Sequence, residues 1–197
     1  MTVRRPSPSA LIGLGLGVLL AVGCASGPRP SRDVADLTNP FLGPELSQWL
    51  VGPITGLATR EEVQTYLALR DDESARRFIE AFWQRRDARP AVPGNPVREL
   101  FEQRCAEADH LYSEAGYSGR RTDRGTLYVL FGPPDKVDRE INPQPNGPPV
   151  EVWIYDAKEP HASLTGRPPG PRFRFVKRAD FTQFYTPVSL QTDDALR

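Results

Sequence analysis

Four charged residues stand where an acid–base or ligand-binding site can form: Asp87, Asp123, Arg124 and Asp135. Paired carboxylates do general acid–base work when burial and a neighbouring charge set their acidities apart. An arginine fork among them suits a polar ligand. The same residues also suit a structural latch, with Asp87, Asp123 and Asp135 paired to Arg85, Arg86 or Arg124 across a junction between helices and sheet. Thr122 and Asp123 have short side chains of the kind that bond nearby backbone amides in turns, which favours the latch over the cleft.

Other chemistries find little to work with. A metal site needs clustered His, Cys or carboxylate ligands. His110 and His161 are far apart in the chain, and no His-x-x-x-His or Cys-x-x-Cys occurs. A serine or cysteine nucleophile needs a histidine base. His110 shares the polar face of a helical pattern with Gln103, Glu107 and Glu114, and His161 stands in a loop. Cys105 lies on the apolar stripe of that same helix and reads as an unreactive core residue. No catalytic residue, metal or cofactor is therefore expected. The 197 residues carry 25 basic and 25 acidic side chains, a formal net charge of zero. That balance argues against a nucleic-acid partner, which needs a basic excess against phosphates. The 21 prolines are about double the usual share and foretell long irregular segments.

The first residues form a leader. Arg4 and Arg5 precede an apolar run from Ala10 to Val22. A membrane-spanning helix needs about 20 residues, so this run has the length of a signal-peptide core instead. It ends in Leu20-Ala21-Val22-Gly23-Cys24, which resembles the lipobox of bacterial lipoproteins, with Ala21 where that pattern prefers a larger aliphatic residue. Ala21-Val22-Gly23 also fits an ordinary secretory cut, but a cysteine directly after it favours the lipobox. The resemblance implies cleavage after Gly23 and acylation of Cys24, palmitate among the chains. Several acyl chains hold a protein firmly where one holds marginally. Ala25 follows, not an inner-membrane retention Asp, so an outer-membrane anchor facing the periplasm is the expectation.

The organisation that follows is a leader over 1–23, a lipidated cysteine and proline-rich tether over 24–58, a domain over 59–190 and a tail over 191–197. Apolar residues between Phe41 and Leu57 are expected to pack back on the domain, with a short helix over Glu45–Val51. Thr59 and Glu62 form a capping box. Asp72 is expected to cap a helix carrying the stripe Ala75, Phe78, Ile79, Phe82 and Trp83. Asn95-Pro96 opens a long helix whose stripe runs from Val97 through Cys105 to Ala115, stopped by Gly116. Strands are expected at Thr126–Phe131, Val150–Tyr155, Arg172–Val176 and Phe181–Tyr185. Helices followed by strands without intervening helices make an α+β fold, with N-terminal helices packed on an antiparallel meander of about four strands.

Between the long helix and the first expected strand stands Gly119-Arg120-Arg121-Thr122-Asp123-Arg124-Gly125. With its surroundings it resembles the GWxTD domain of bacterial proteins. Gly119, Thr122 and Asp123 fill the named positions and Arg120 replaces the tryptophan. Phe82-Trp83-Gln84-Arg85-Arg86-Asp87, Tyr128, the run Gly132-Pro133-Pro134-Asp135, and Glu151, Trp153 and Tyr155 extend the likeness over about residues 75–186. The resemblance implies a fold and a bacterial setting, and names no reaction. Gly125 is expected to permit a positive φ before a strand. The missing tryptophan removes a packing or contact residue at position 120.

The expected function is an interaction module, anchored through Cys24 and working with a protein partner in the envelope. The aromatic strands Val150–Tyr155 and Phe173–Tyr185 would receive a partner strand. The alternatives are a binder of cell-wall glycan or another small polar ligand at the Asp/Arg cluster, and a hydrolase using Asp123 with a second carboxylate.

Overall fold

A computed structural model describes residues 34–156 and 161–185. The leader, Cys24 and the tail over 191–197 lie outside the described residues. Six α-helices come first: α1 (Pro44–Ser47), α2 (Ile54–Leu57), α3 (Arg60–Ala68), α4 (Asp72–Gln84), α5 (Pro96–Tyr112) and α6 (Asp123–Phe131). Strands β1 (Lys136–Glu140), β2 (Val150–Ile154), β3 (Arg172–Arg178) and β4 (Phe181–Phe184) follow as one antiparallel sheet in that spatial order. The architecture is α+β, as the ordering of patterns indicates. Among the described residues no helix is long and apolar enough to cross a membrane.

Capping chemistry sets the helix starts. The Thr59 hydroxyl accepts from Glu62 N–H while Thr59 N–H donates to Glu62 Oε2. Asp71, not Asp72, caps α4 by accepting from Ser74 N–H. Asp72 instead accepts from Gly43 N–H and ties the N-terminal segment to α4. Asn95 accepts from Arg98 N–H at the start of α5 and donates to Trp83 O, fixing the turn between α4 and α5. The α5 helix ends at Tyr112, short of Gly116, where Ala115 and Gly116 both take positive φ.

The core is aromatic and continuous. Trp49, Tyr66, Phe78, Phe82, Trp83 and Phe101 pack ring to ring among the helices. Tyr112, Tyr128, Trp153 and Phe175 carry the packing on to the sheet. Leu37, Leu42, Leu50 and Ile54 belong to this core. The fully buried Asn39 donates to Tyr66 O and Leu69 O at the end of α3. The packed body thus begins near Leu37, well before residue 59.

Two elements differ from expectation. Thr126–Phe131 is the body of helix α6, not a strand. A short, largely apolar run cannot distinguish a buried helix from a buried strand by its period. Here the Thr122 cap decides, its hydroxyl accepting from Gly125 N–H. Leu127, Tyr128, Val129 and Leu130 are buried on all sides of that helix, which explains the missing polar face. The remaining strand is β1, whose sequence Lys-Val-Asp-Arg-Glu is exposed almost throughout and carries no apolar alternation. Consequently β2 and β3 are interior strands with both edges paired. They offer no edge to a partner strand, contrary to the expectation for Val150–Tyr155.

The outer sheet face buries Val150, Val152 and Val176. Arg174 of β3 lies opposite Val152, and Glu140 of β1 lies opposite Val150. Their ion pair (2.8 Å) therefore crosses β2 on that face.

Candidate functional site

The signature residues build a corner where α5, α6 and β4 meet. Gly119 opens a single 3₁₀ turn laid against α5, where a Cβ would collide with the Ala108 carbonyl. Gly125 meets the turn from the other side, where a Cβ would collide with Gly119 O. Gly125 is helical and serves close approach, not the positive φ expected of it. The buried Thr122 hydroxyl donates to Gly119 O (2.8 Å) while capping α6. Thr126 Oγ1 donates to Arg120 O (3.1 Å) and closes the turn.

Arg120, in the position of the family's tryptophan, points back to α5. Its N–H donates to Asp109 Oδ1 and its Nε to Asp109 Oδ2, both at 2.8 Å. These bonds hold the Asp109 carboxyl below its ordinary pKa although burial opposes them.

Asp123 opens α6, where a negative charge meets the helix N-terminus favourably, and its carboxylate reaches the sheet. Phe184 N–H donates to Asp123 Oδ2 at 2.6 Å, and Thr182 N–H donates to Glu114 Oε1 at 2.9 Å. Tyr185 N–H donates to Arg174 O, so alternate β4 amides face β3, and those of Thr182 and Phe184 face outward. Two carboxylates thus take the place of a fifth strand. Burial pushes the Asp123 carboxyl up, the Glu114 charge adds to this, and the Phe184 amide opposes it. Arg124 balances part of this acidity, pairing with Glu114 (3.3 Å) and Glu151 (3.5 Å) beside the Tyr112 ring. Trp153 lies in the core and donates from its indole to Glu151 Oε1 (2.8 Å).

The other expected residues stand elsewhere. Asp87 accepts from Arg89 N–H in the turn after α4. It lines an open hollow of about 440 Å³ with Glu80, Glu99, Glu102 and Arg98. Arg85 and Arg86 go to Glu62 of α3 (2.9 and 2.7 Å), not to Asp87. Asp135, just before β1, accepts from Asp156 N–H and lies 3.3 Å from His161 Nε2. Asp87, the Asp123–Arg124 pair and Asp135 therefore occupy three separate places with different partners. Gly132 ends α6 at φ +85° and packs against the Arg104 guanidinium. Pro133 and Pro134 follow it and carry the chain to Asp135.

Sequence reasoning missed Arg104, Glu114 and the Asp135–His161 contact. Arg104 is buried, donates to Val129 O (3.2 Å) at the end of α6, and has its pKa lowered by burial. Its spacing from Phe101 and Cys105 puts it on the buried face of α5, a signal masked by its charge. Glu114 lies beyond the end of α5, so the helical face assigned to it does not apply. Cys105 is 1 % exposed with its thiol pushed up to about 11 by burial, and His110 is exposed. Among the described residues no cluster of three or more His, Cys, Asp or Glu is placed to hold a metal ion.

The fold and corner define a class of small α+β domains whose Thr-Asp pair joins a helix start to a sheet edge. The GWxTD domain matches residues 37–184, and the chain belongs to that family. Neither curated proteins nor solved structures give a match.

Proposed function

We propose that the chain is a lipid-anchored protein of the bacterial envelope, held through Cys24 in the outer membrane with its body facing the periplasm, and that the body works by contact with other proteins. The single observation that carries the contact reading is the use made of the signature acid. Asp123 bonds the backbone of the protein's own edge strand, and Glu114 does the same beside it. The signature thereby maintains a surface. The lipobox-like Leu20–Cys24 and the following Ala25 support the anchor and its membrane. Twelve residues, and so thirteen backbone steps, separate Cys24 from Leu37, the first core residue. Even fully extended they reach at most about 45 Å, so the tether would keep the body close to the lipid surface.

The test is metabolic labelling of the full-length chain with radioactive fatty acid, followed by envelope fractionation. Label on the wild-type protein is expected, with loss of label and release to the soluble periplasmic fraction in Cys24→Ser. An exported wild-type protein that stays unlabelled overturns the anchor. Affinity capture from solubilised envelope tests the contact role, which falls if no stoichiometric protein is recovered.

A further inference from the structure

The sheet has two outer edges, and they are treated differently. At β4 the outward amides of Thr182 and Phe184 are held by Glu114 and Asp123. At the other edge, Tyr155 N–H donates to Pro171 O (3.1 Å), which turns the odd residues of β2 toward β3 and the even ones toward β1. The β1 partners of Ile154, Val152 and Val150 are Lys136, Asp138 and Glu140. These three bond to β2, and Val137 and Arg139 direct their backbone groups away from the sheet. The cover on this edge is local and exposed: Asp138 Oδ1 accepts from Arg139 N–H at 2.9 Å. Val137 is 54 % exposed.

Residues 136–139 of β1 read Lys-Val-Asp-Arg, and Asp135 before them turns inward, its N–H donating to Ile154 O and its carboxylate accepting from Asp156 N–H. Set antiparallel against itself about Val137, this segment places each Lys136 opposite an Asp138 and Val137 opposite its own equivalent; within one copy Lys136 pairs with Asp138 at 2.8 Å, so the pairing exchanges these partners between copies. Both Lys136–Asp138 pairs join a base to an acid. Slipping the register by one residue sets Lys136 against Arg139 in one direction, and in either direction it sets a residue whose backbone faces β2 against one whose backbone faces outward. Slipping by two sets Asp138 or Lys136 against its own equivalent. Like charges directly opposite destabilise a strand pair, so one register is selected. From this charge palindrome on an exposed edge we infer that β1 pairs with β1 of a second copy of this chain, antiparallel about Val137, joining two sheets into one. One strand pair is small beside the roughly 1,200 Å² of a stable interface. The pairing is therefore weak between freely diffusing copies and strengthens when copies share a surface, which raises their effective concentration. Its geometry goes beyond the proposed anchor and does not depend on it.

The test is disulfide trapping of the full-length chain in its membrane, with Val137→Cys and, off the two-fold axis, Ile141→Cys. In a hydrogen-bonded antiparallel pair the Cα atoms lie about 5.5 Å apart, within disulfide range. Mild oxidation is expected to give a covalent dimer with Val137→Cys, well above Ile141→Cys and the wild type, whose Cys105 is buried. Adding Lys136→Glu sets an acid against Asp138 on both sides of the axis and is expected to lower trapping about tenfold. Combining Lys136→Glu with Asp138→Lys rebuilds the palindrome and is expected to restore it. Equal trapping at 137 and 141, or trapping indifferent to Lys136→Glu, overturns the pairing. Fatty-acid labelling of the same samples reports on the anchor separately: labelled protein without Val137 trapping sinks the pairing alone, and trapping without label sinks the anchor alone.

Discussion

Replacing Asp123 separates a latch from a reactive acid. The Phe184 amide donates to its carboxylate at 2.6 Å, and a hydrogen bond to a charged group contributes about 1.5–3 kcal/mol. Its place at the start of α6 adds about 0.3–1 kcal/mol through the helix dipole. Burial works against both, raising the pKa above the ordinary 3.8. With the folded pKa raised, ionised Asp123 costs stability at neutral pH, and that cost fades as pH falls through the raised value. Asp123→Ala loses the bond and the dipole contact, and a loss of about 2–3 kcal/mol follows. Asp123→Asn keeps an acceptor oxygen and removes the buried charge, so its loss at neutral pH stays below about 1 kcal/mol. Urea denaturation measures both. Hydrogen exchange at the Phe184 amide localises the effect, quickening by about tenfold or more in the Ala variant while the Asn variant stays near wild type. Equal losses in Ala and Asn, or an unchanged Phe184 amide in the Ala variant, would refute the latch.

Glu62 accepts from Arg86, Thr59 N–H and Arg85; burial raises its pKa, but these bonds outweigh it and bring the value to about 2 from 4.5. Its stabilisation is therefore complete above about pH 4.5 and lost toward pH 2, so the stability gap between wild type and Glu62→Gln should shrink by about 3 kcal/mol over that window, as urea melts would show. Gly119→Ala drives a methyl into the Ala108 carbonyl and should cost more than about 3 kcal/mol, seen as failure to fold or a large fall in melting temperature. Gly116→Ala, where nothing lies within 4 Å but φ is +82°, should cost about 1 kcal/mol and serves as its control. Native Cys105, with its thiol at about 11, should react with a thiol reagent only as fast as the body opens; rapid labelling of the folded protein would contradict its burial.

The parts of the fold read correctly from sequence are those fixed within one turn of chain. The Thr59–Glu62 box and the Asn95-Pro96 start are local bonds between residues three apart, and they stand as read. What misled were choices made by packing. Thr126–Phe131 has strand-forming residues, yet two helices and the sheet enclose it, and the helix satisfies its own backbone there. The polar residues of β1 hide a strand because neither face of its exposed edge is fully buried. Glu114 and Phe184 are far apart in sequence from the residues they serve. Nothing local says that a carboxylate will answer an amide 61 positions away.

The same logic explains how the corner stands without its tryptophan. Thr122 closes the first turn of α6 and Asp123 the outer edge of β4, so the Thr-Asp pair governs two elements through side chains of fixed, short reach. Gly119 and Gly125 are constrained by backbone on both sides, where no other residue fits. Position 120 faces the other way. Its side chain is 42 % exposed and touches α5 through Asp109. An arginine there replaces apolar contact with a forked ion pair and leaves the bonds of Thr122, Asp123 and the two glycines untouched. The corner therefore rests on Gly119, Thr122, Asp123 and Gly125, and the side chain at 120 adds a contact to α5 without entering it.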